Sequence, residues 1–229
     1  MAPSPTIQLA NRTSGSFDWL AISRVEQAAL SAQGELQKVL SAYFERPISI
    51  TVVSCETFWY PTANSPREPL PLPPDPIAIA QASPETPIIQ KRRVHLVCSG
   101  KVVCTATSTI HIISPSAAYL FLVENYAICQ VFRRMEREPK FQLLDVGIGP
   151  CHFERTAKAA ATDDTSISKD LWRRYCLDMP SFSCEIVEVF PDRRMFRCGV
   201  AWLDEADVEP VQHVENAEQY PEGMAVIEM

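Results

Sequence analysis

No uninterrupted apolar run comes near the length of about 18 residues that a membrane span needs. The opening MAPSPTIQLANRTSG has neither a basic segment nor an apolar one behind it, which leaves no secretory signal to read. The expectation is a soluble, cytoplasmic protein that engages no membrane. Asn11-Arg12-Thr13 fits the glycosylation acceptor pattern, a match with little meaning where no secretory signal accompanies it. Cysteine pairs spaced C-x-x-C are also missing, although the chain has eight cysteines (Cys55, Cys98, Cys104, Cys129, Cys151, Cys176, Cys184 and Cys198). Most sit inside apolar, strand-like runs, so in a reducing compartment they read as small buried hydrophobes rather than a zinc or disulfide framework. Gly147-Ile148-Gly149 lacks the third glycine of a dinucleotide loop, and no metal-ligand spacing occurs. No metal or cofactor is expected. Cys151-His152 are neighbours whose side chains point apart, which argues against a nucleophile and its base there.

Lysine and arginine are absent beyond Arg197, where Asp204, Glu205, Asp207, Glu209, Glu215, Glu218, Glu222 and Glu228 outweigh the whole net charge of −7. The body is therefore nearly neutral, with no concentrated basic face for nucleic acid. With 229 residues and 46% hydrophobic content, the chain supports one substantial core. We read a single domain over residues 1–203 and an acidic, solvated extension over 204–229.

Ser23 with Glu26 three residues on is a capping box that opens a helix. Val25, Ala29, Leu36, Val39, Leu40 and Tyr43 carry its apolar stripe to about Phe44, which predicts one helix. ISITVVSC (48–55) reads as a strand. Residues 61–87 hold nine of the nineteen prolines, a density of missing donors that predicts a surface loop: a stiffened insertion without function first, then a lid, then a ligand for an SH3-type module. RVHLVC, SGK and VVCTATSTIHII form a hairpin from Arg92, a helix or two spans 117–138, and FQLLDVGIG (141–149) is a strand. Residues 152–169 are polar, Ala-rich and of uncertain form. LWRRYCLDMPSFSCEIVEVFP (171–191) supplies two strands and MFRCGVAWL (195–203) a last one. This order predicts an α+β fold, an antiparallel β-sheet with helices packed on one side.

Strict alternation puts Phe182, Cys184, Ile186, Glu188 and Phe190 on one strand face, so Glu188 is a carboxylate among apolar residues. Burial of that kind raises a carboxyl group's pKa, which would suit a general acid. The same alternation puts Arg92 at the end of the face carrying Val94, Leu96 and Cys98. An inward arginine and an inward glutamate describe either a pocket for a small anionic organic ligand, a buried ion pair between strands, or an arginine that reaches the rim. Arg173 and Tyr175 share a face and Arg174 takes the other, so at most one of the two arginines joins the site; surface exposure is the first expectation for both, and Arg174 is the one we assign to the site.

Four segments in order, GELQKVLSAYFERPISITVV (34–53), RRVHLVCSGKVVCTATSTI (92–110), AYLFLVENYAICQVF (118–132) and the 171–191 block, resemble the chorismate pyruvate-lyase family, over about 75 of the 229 residues. The resemblance implies a chorismate-lyase-like fold enclosing a small-molecule pocket and cofactor-free loss of pyruvate from chorismate. It implies that Arg92 grips the ligand carboxylate, that Glu188 faces the hydroxyl or ether end, and that Ile128 is an apolar contact. Where the family has a D/G-S-x-T element this chain has Gln33-Gly34-Glu35-Leu36, putting Glu35 at a ligand-contacting position. Ala127-Ile128-Cys129 replaces the family's P-L-G turn. Both departures touch the ligand, so the expectation is a repurposed enzyme: an elimination or dehydration, isomerisation or cyclisation of a bulkier, secondary-metabolite type substrate. A true chorismate lyase and a non-catalytic binding domain are the alternatives.

Overall fold

A computed structural model describes residue 17, residues 19–151 and residues 170–205 of the chain. Asn11-Arg12-Thr13, His152, the 152–169 stretch and the acidic extension from 206 onward lie outside the described residues.

Seven strands form one antiparallel sheet: β1 (Ile48–Trp59), β2 (Glu68–Pro69), β3 (Ile88–Cys98), β4 (Lys101–Ile112), β5 (Lys140–Ile148), β6 (Leu171–Met179) and β7 (Phe182–Phe190). Their spatial order is β2-β1-β3-β4-β7-β6-β5. β3 and β4 turn through Ser99 and Gly100, both at positive φ (50° and 85°), the pair of values that a two-residue type I′ hairpin requires. The helices are α1 (Arg24–Ser31), α2 (Leu36–Phe44), α3 (Pro76–Ala80), α4 (Pro115–Ala118) with a π-helical turn at Tyr119–Val123, α5 (Ile128–Arg134), α6 (Met195–Cys198) and α7 (Val200–Asp204). Their buried side chains join those of one sheet face in a single core: Leu30, Leu40 and Phe44 from the first two helices meet Ile88, Ile110, Ile112, Phe182 and Phe190 from the strands. Phe121 and Phe132 set their edges on Phe182 at 5.3 and 5.5 Å, each contact adding about 0.5–1.5 kcal/mol beyond area burial. No helix among the described residues is long and apolar enough to cross a membrane.

Several elements differ from expectation. The helix foreseen from Ser23 to Phe44 is two helices, broken where Gly34 takes φ +80°, a left-handed value that glycine adopts without a Cβ penalty. The 117–138 stretch, expected as one helix or two, is two helical pieces separated at 124–127, with Asn125 at φ 55°. The proline-rich segment is not wholly a surface loop. Asp75 caps α3, with Pro76 in its first turn, and Leu70, Ala78, Ile79 and Ala82 are buried in the core. The strand expected over 195–203 is the helix pair α6 and α7, joined through Gly199. Met195 and Phe196 of α6 and Trp202 and Leu203 of α7 are its buried residues. The boundary drawn before residue 204 falls inside α7, and Asp204 pairs with Arg46 at 2.9 Å. None of the eight cysteines is in a disulfide.

Gly147 is the place in β5 where only glycine fits, because a Cβ there would lie 2.3 Å from the Trp172 indole. Gly147→Ala is therefore expected to destabilise by about 1–3 kcal/mol through overpacking, read as a lower denaturation midpoint.

Both hydrogen bonds of the capping box form, Ser23 N–H to Glu26 Oε2 at 2.8 Å and Glu26 N–H to Ser23 Oγ at 3.2 Å. Glu26 is buried and also accepts from Arg193 Nε at 2.6 Å, which ties α1 to the chain leaving β7. Burial alone would raise the Glu26 pKa, but the hydrogen bonds from Arg193 and Ser23 outweigh it and hold the carboxyl below its ordinary 4.5. The unfolded chain then binds the extra proton first. This contribution is complete above about pH 4.5 and is lost as pH falls through the folded-state value. Glu26→Gln should flatten the acid limb of a midpoint-against-pH curve; an unchanged limb would exclude the pair as its source.

Candidate functional site

Arg92 stands in β3 on the core-facing side, opposite Cys55 of β1 and Ser108 of β4. A bulge at Val53 sets the β1 side of this arrangement. Up to Val52 the even residues face inward, and beyond the bulge Cys55 and Thr57 pair with Arg92 and Gln90. One extra residue inverts the parity of everything after it. Gln90 donates from Nε2 to Thr57 Oγ1 at 3.0 Å, and both side chains are buried. Ser108 Oγ donates to the Arg92 carbonyl at 3.4 Å.

Arg92 and its neighbours line a cleft of ≈ 1420 Å³ between the sheet, α2 and the 121–130 segment. Ile48, Ile50 and Val52 give it an apolar strand wall, Phe121, Leu122 and Tyr126 face it from the helical side, and Lys38, Glu124, Asn125 and Gln130 bring polar groups. Leu72 is the contribution of the proline-rich segment. Arg92 Nε is fully buried with no hydrogen-bond partner, and among the described residues no carboxylate pairs with this guanidinium. Burial lowers the Arg92 pKa, with the Cys55 and Cys184 thiols pulling the other way. An arginine still carries its charge under such a shift. The cleft thus contains a partly buried cation whose hydrogen-bonding capacity is not used up.

Glu188 lies on the same sheet face but in a different setting. Its Oε2 accepts from Arg173 Nε at 2.6 Å and its Oε1 from the Tyr175 hydroxyl at 2.9 Å. Arg173 is fully buried, and its Nη1 donates to the carbonyls of Leu30 (2.9 Å) and Ala32 (2.6 Å), where α1 ends. Its guanidinium also lies 4.4 Å from the centre of the Tyr175 ring. Burial, then the Glu188 charge, drives the Tyr175 pKa far above that of an ordinary phenol, so its proton stays to donate.

The residues singled out from the sequence divide accordingly. Arg92 lines the cleft. Glu188 faces the same side of the sheet, yet it is absent from the cleft wall and does not pair with Arg92: Val94, Ala106 and Glu188 make one row across the sheet, while Arg92, Ser108 and Ile186 make the next. Two strand spacings alone separate the two backbones by about 10 Å. Arg174 is a correction, because it projects to the opposite face and pairs there with Glu185 at 2.8 Å. Arg173 is the arginine that joins Glu188. Glu35 is a second correction: it is 56% exposed and bridges Lys38 (3.0 Å) and Arg133 (3.9 Å) on the surface. Ile128 packs against the core while its neighbours Ala127 and Gln130 face the cleft. The sequence reading missed Cys55, Thr57 and Gln90. Gln90 was within reach, since it continues the Arg92 alternation by two residues; Cys55 and Thr57 were hidden by the bulge. Among the described residues no group of three or more His, Cys, Asp or Glu is placed to hold a metal.

The chain matches no family model, and no curated protein matches it significantly.

Removing one partner of the Arg173–Glu188 pair leaves an uncompensated buried charge, a loss of about 3–5 kcal/mol. Arg173→Met or Glu188→Leu alone should lower the denaturation midpoint by on the order of 10 °C. The double variant should recover most of that loss. Strictly additive losses in the cycle would show that the pair is not coupled.

Proposed function

We propose that the protein takes a small organic anion into the Arg92 cleft and acts on it as a cofactor-independent lyase- or isomerase-type enzyme. The reaction class is an elimination or dehydration, an isomerisation or a ring closure. The observation that carries this reading is the Arg92 guanidinium, partly withdrawn from water beside an open cleft, with no carboxylate paired to it among the described residues. Burying a cation without a counter-charge costs several kcal/mol, and a ligand carboxylate offsets that cost through charge-assisted hydrogen bonds. Chemistry of this class needs an anchored anion, aligned bonds and a site from which water is excluded. The apolar walls of Ile50, Val52, Phe121 and Leu122 serve the second and third requirements.

The cleft volume favours a bulky acid of secondary-metabolite type over a single small ring, since common small-molecule sites are about 300–1,000 Å³. Within the same reading, a true chorismate lyase is the narrower possibility, and the chorismate-lyase-like fold remains part of the proposal. A binding protein without turnover is the second reading, favoured by Glu188. With both carboxylate oxygens engaged by Arg173 and Tyr175, it gives the cleft no general acid.

Incubation with chorismate, following pyruvate and 4-hydroxybenzoate, tests the narrow case, and calorimetric titration with aryl and polycyclic carboxylic acids tests the broad one. Arg92→Gln should weaken carboxylate binding about 10- to 100-fold, the equivalent of one charged hydrogen-bonded contact. Equal affinity in the two proteins would remove Arg92 from the site. Binding without turnover of any ligand would favour the second reading.

A further inference from the structure

Cys55 and Arg92 stand directly opposite each other on neighbouring strands, and both line the cleft. The β1 bulge turns this thiol inward; without it Ser54 would take the position. Ile50, Val52 and the hydrogen-bonded Gln90–Thr57 pair surround the two residues. Burial pushes the Cys55 thiol up and the Arg92 charge pulls it back, so the thiol is predominantly protonated at neutral pH. The buried, unpartnered Nε of Arg92 points to a ligand here independently of the thiol.

We infer that Cys55 is a covalent capture site for α,β-unsaturated carboxylates that dock on Arg92. This rests on the reading of the cleft as an organic-anion site. The carboxylate pairs with the guanidinium and brings its β-carbon to the thiol. Sulfur forms a bond to that carbon, the π pair moves to the α-carbon, and the thiol's proton ends there. The product is a saturated thioether acid, and no further reagent is consumed. Reversal of the same steps regenerates the alkene after rotation about the former double bond, which is a route for the isomerisation class proposed above.

The test treats the full chain with monoethyl fumarate, an anion at pH 7.5, or with diethyl fumarate, its neutral counterpart, and maps adducts by peptide mass spectrometry. Exposed Cys129 is the internal reference that cancels the intrinsic reactivity of the two reagents. The ratio of anionic to neutral labelling should be about tenfold higher at Cys55 than at Cys129, the size of effect expected from one nearby cation. Arg92→Gln should bring the two ratios together, and benzoate should protect Cys55 but not Cys129. The benzoate comparison uses unaltered protein and decides the matter even if the variant folds poorly. Equal ratios in the unaltered protein, or no adduct at Cys55, would overturn the assignment. Benzoate titration of Cys55→Ser separates the two failures. Binding there, with no Cys55 adduct in the unaltered protein, overturns the capture site alone. No binding overturns the anion site and the capture site together.

Discussion

A guanidinium taken out of water needs either a counter-charge or lone pairs to receive its protons, and this protein withdraws two of them on one face of one sheet. Arg173 is neutralised from within: Glu188 provides the charge, Tyr175 completes the carboxylate's hydrogen bonding, and two carbonyls at the end of α1 take Nη1, leaving its buried Nη2 without a partner. Those carbonyls make the pair more than a link between β6 and β7. They fasten the corner between the first two helices to β6, and α2 on the far side of that corner forms part of the cleft. Loss of the pair would loosen the wall of the cleft as well as the core.

Arg92 is partly withdrawn with no carboxylate paired to it among the described residues, and this difference in counter-charge sets the two arginines apart. Buried polar groups in folded proteins overwhelmingly find partners, so a buried guanidinium nitrogen left unpaired beside a cleft is an energetic debt that a bound anion removes. The surrounding residues suit an acid with an apolar body: aliphatic strand residues, Phe121 and Leu122 around it, an amide and hydroxyls beside the cation, and a thiol facing it.

Much of the fold was legible because its signals are local. The capping box at Ser23 and Glu26, the Ser99-Gly100 hairpin and the alternation in β6 and β7 each depend on residues close together in the chain. Alternation placed Arg173 with Tyr175 on one face of β6 and Glu188 among the apolar residues of β7, but not which face of β6 meets Glu188. The misreadings have a common origin in single-residue backbone events. Gly34 splits a continuous apolar stripe into two helices, Val53 inverts the facing of half a strand, and Gly199 turns a hydrophobic run into two short helices. Periodicity alone does not register a conformation adopted by one residue.

The sequence by itself determined the antiparallel α+β architecture and which residues share a face, because strand alternation and helix spacing follow from covalent geometry. Tertiary structure decided which charges meet. Arg173 rather than Arg92 or Arg174 reached Glu188, since strand register aligns Arg173 with Glu188 and sets Arg92 two strands away in the next row. Glu35 went to the surface because two cations were available to it there. Whether a buried charge is neutralised or left open to a ligand depends on distances between residues far apart in the chain, and only the folded arrangement fixes those.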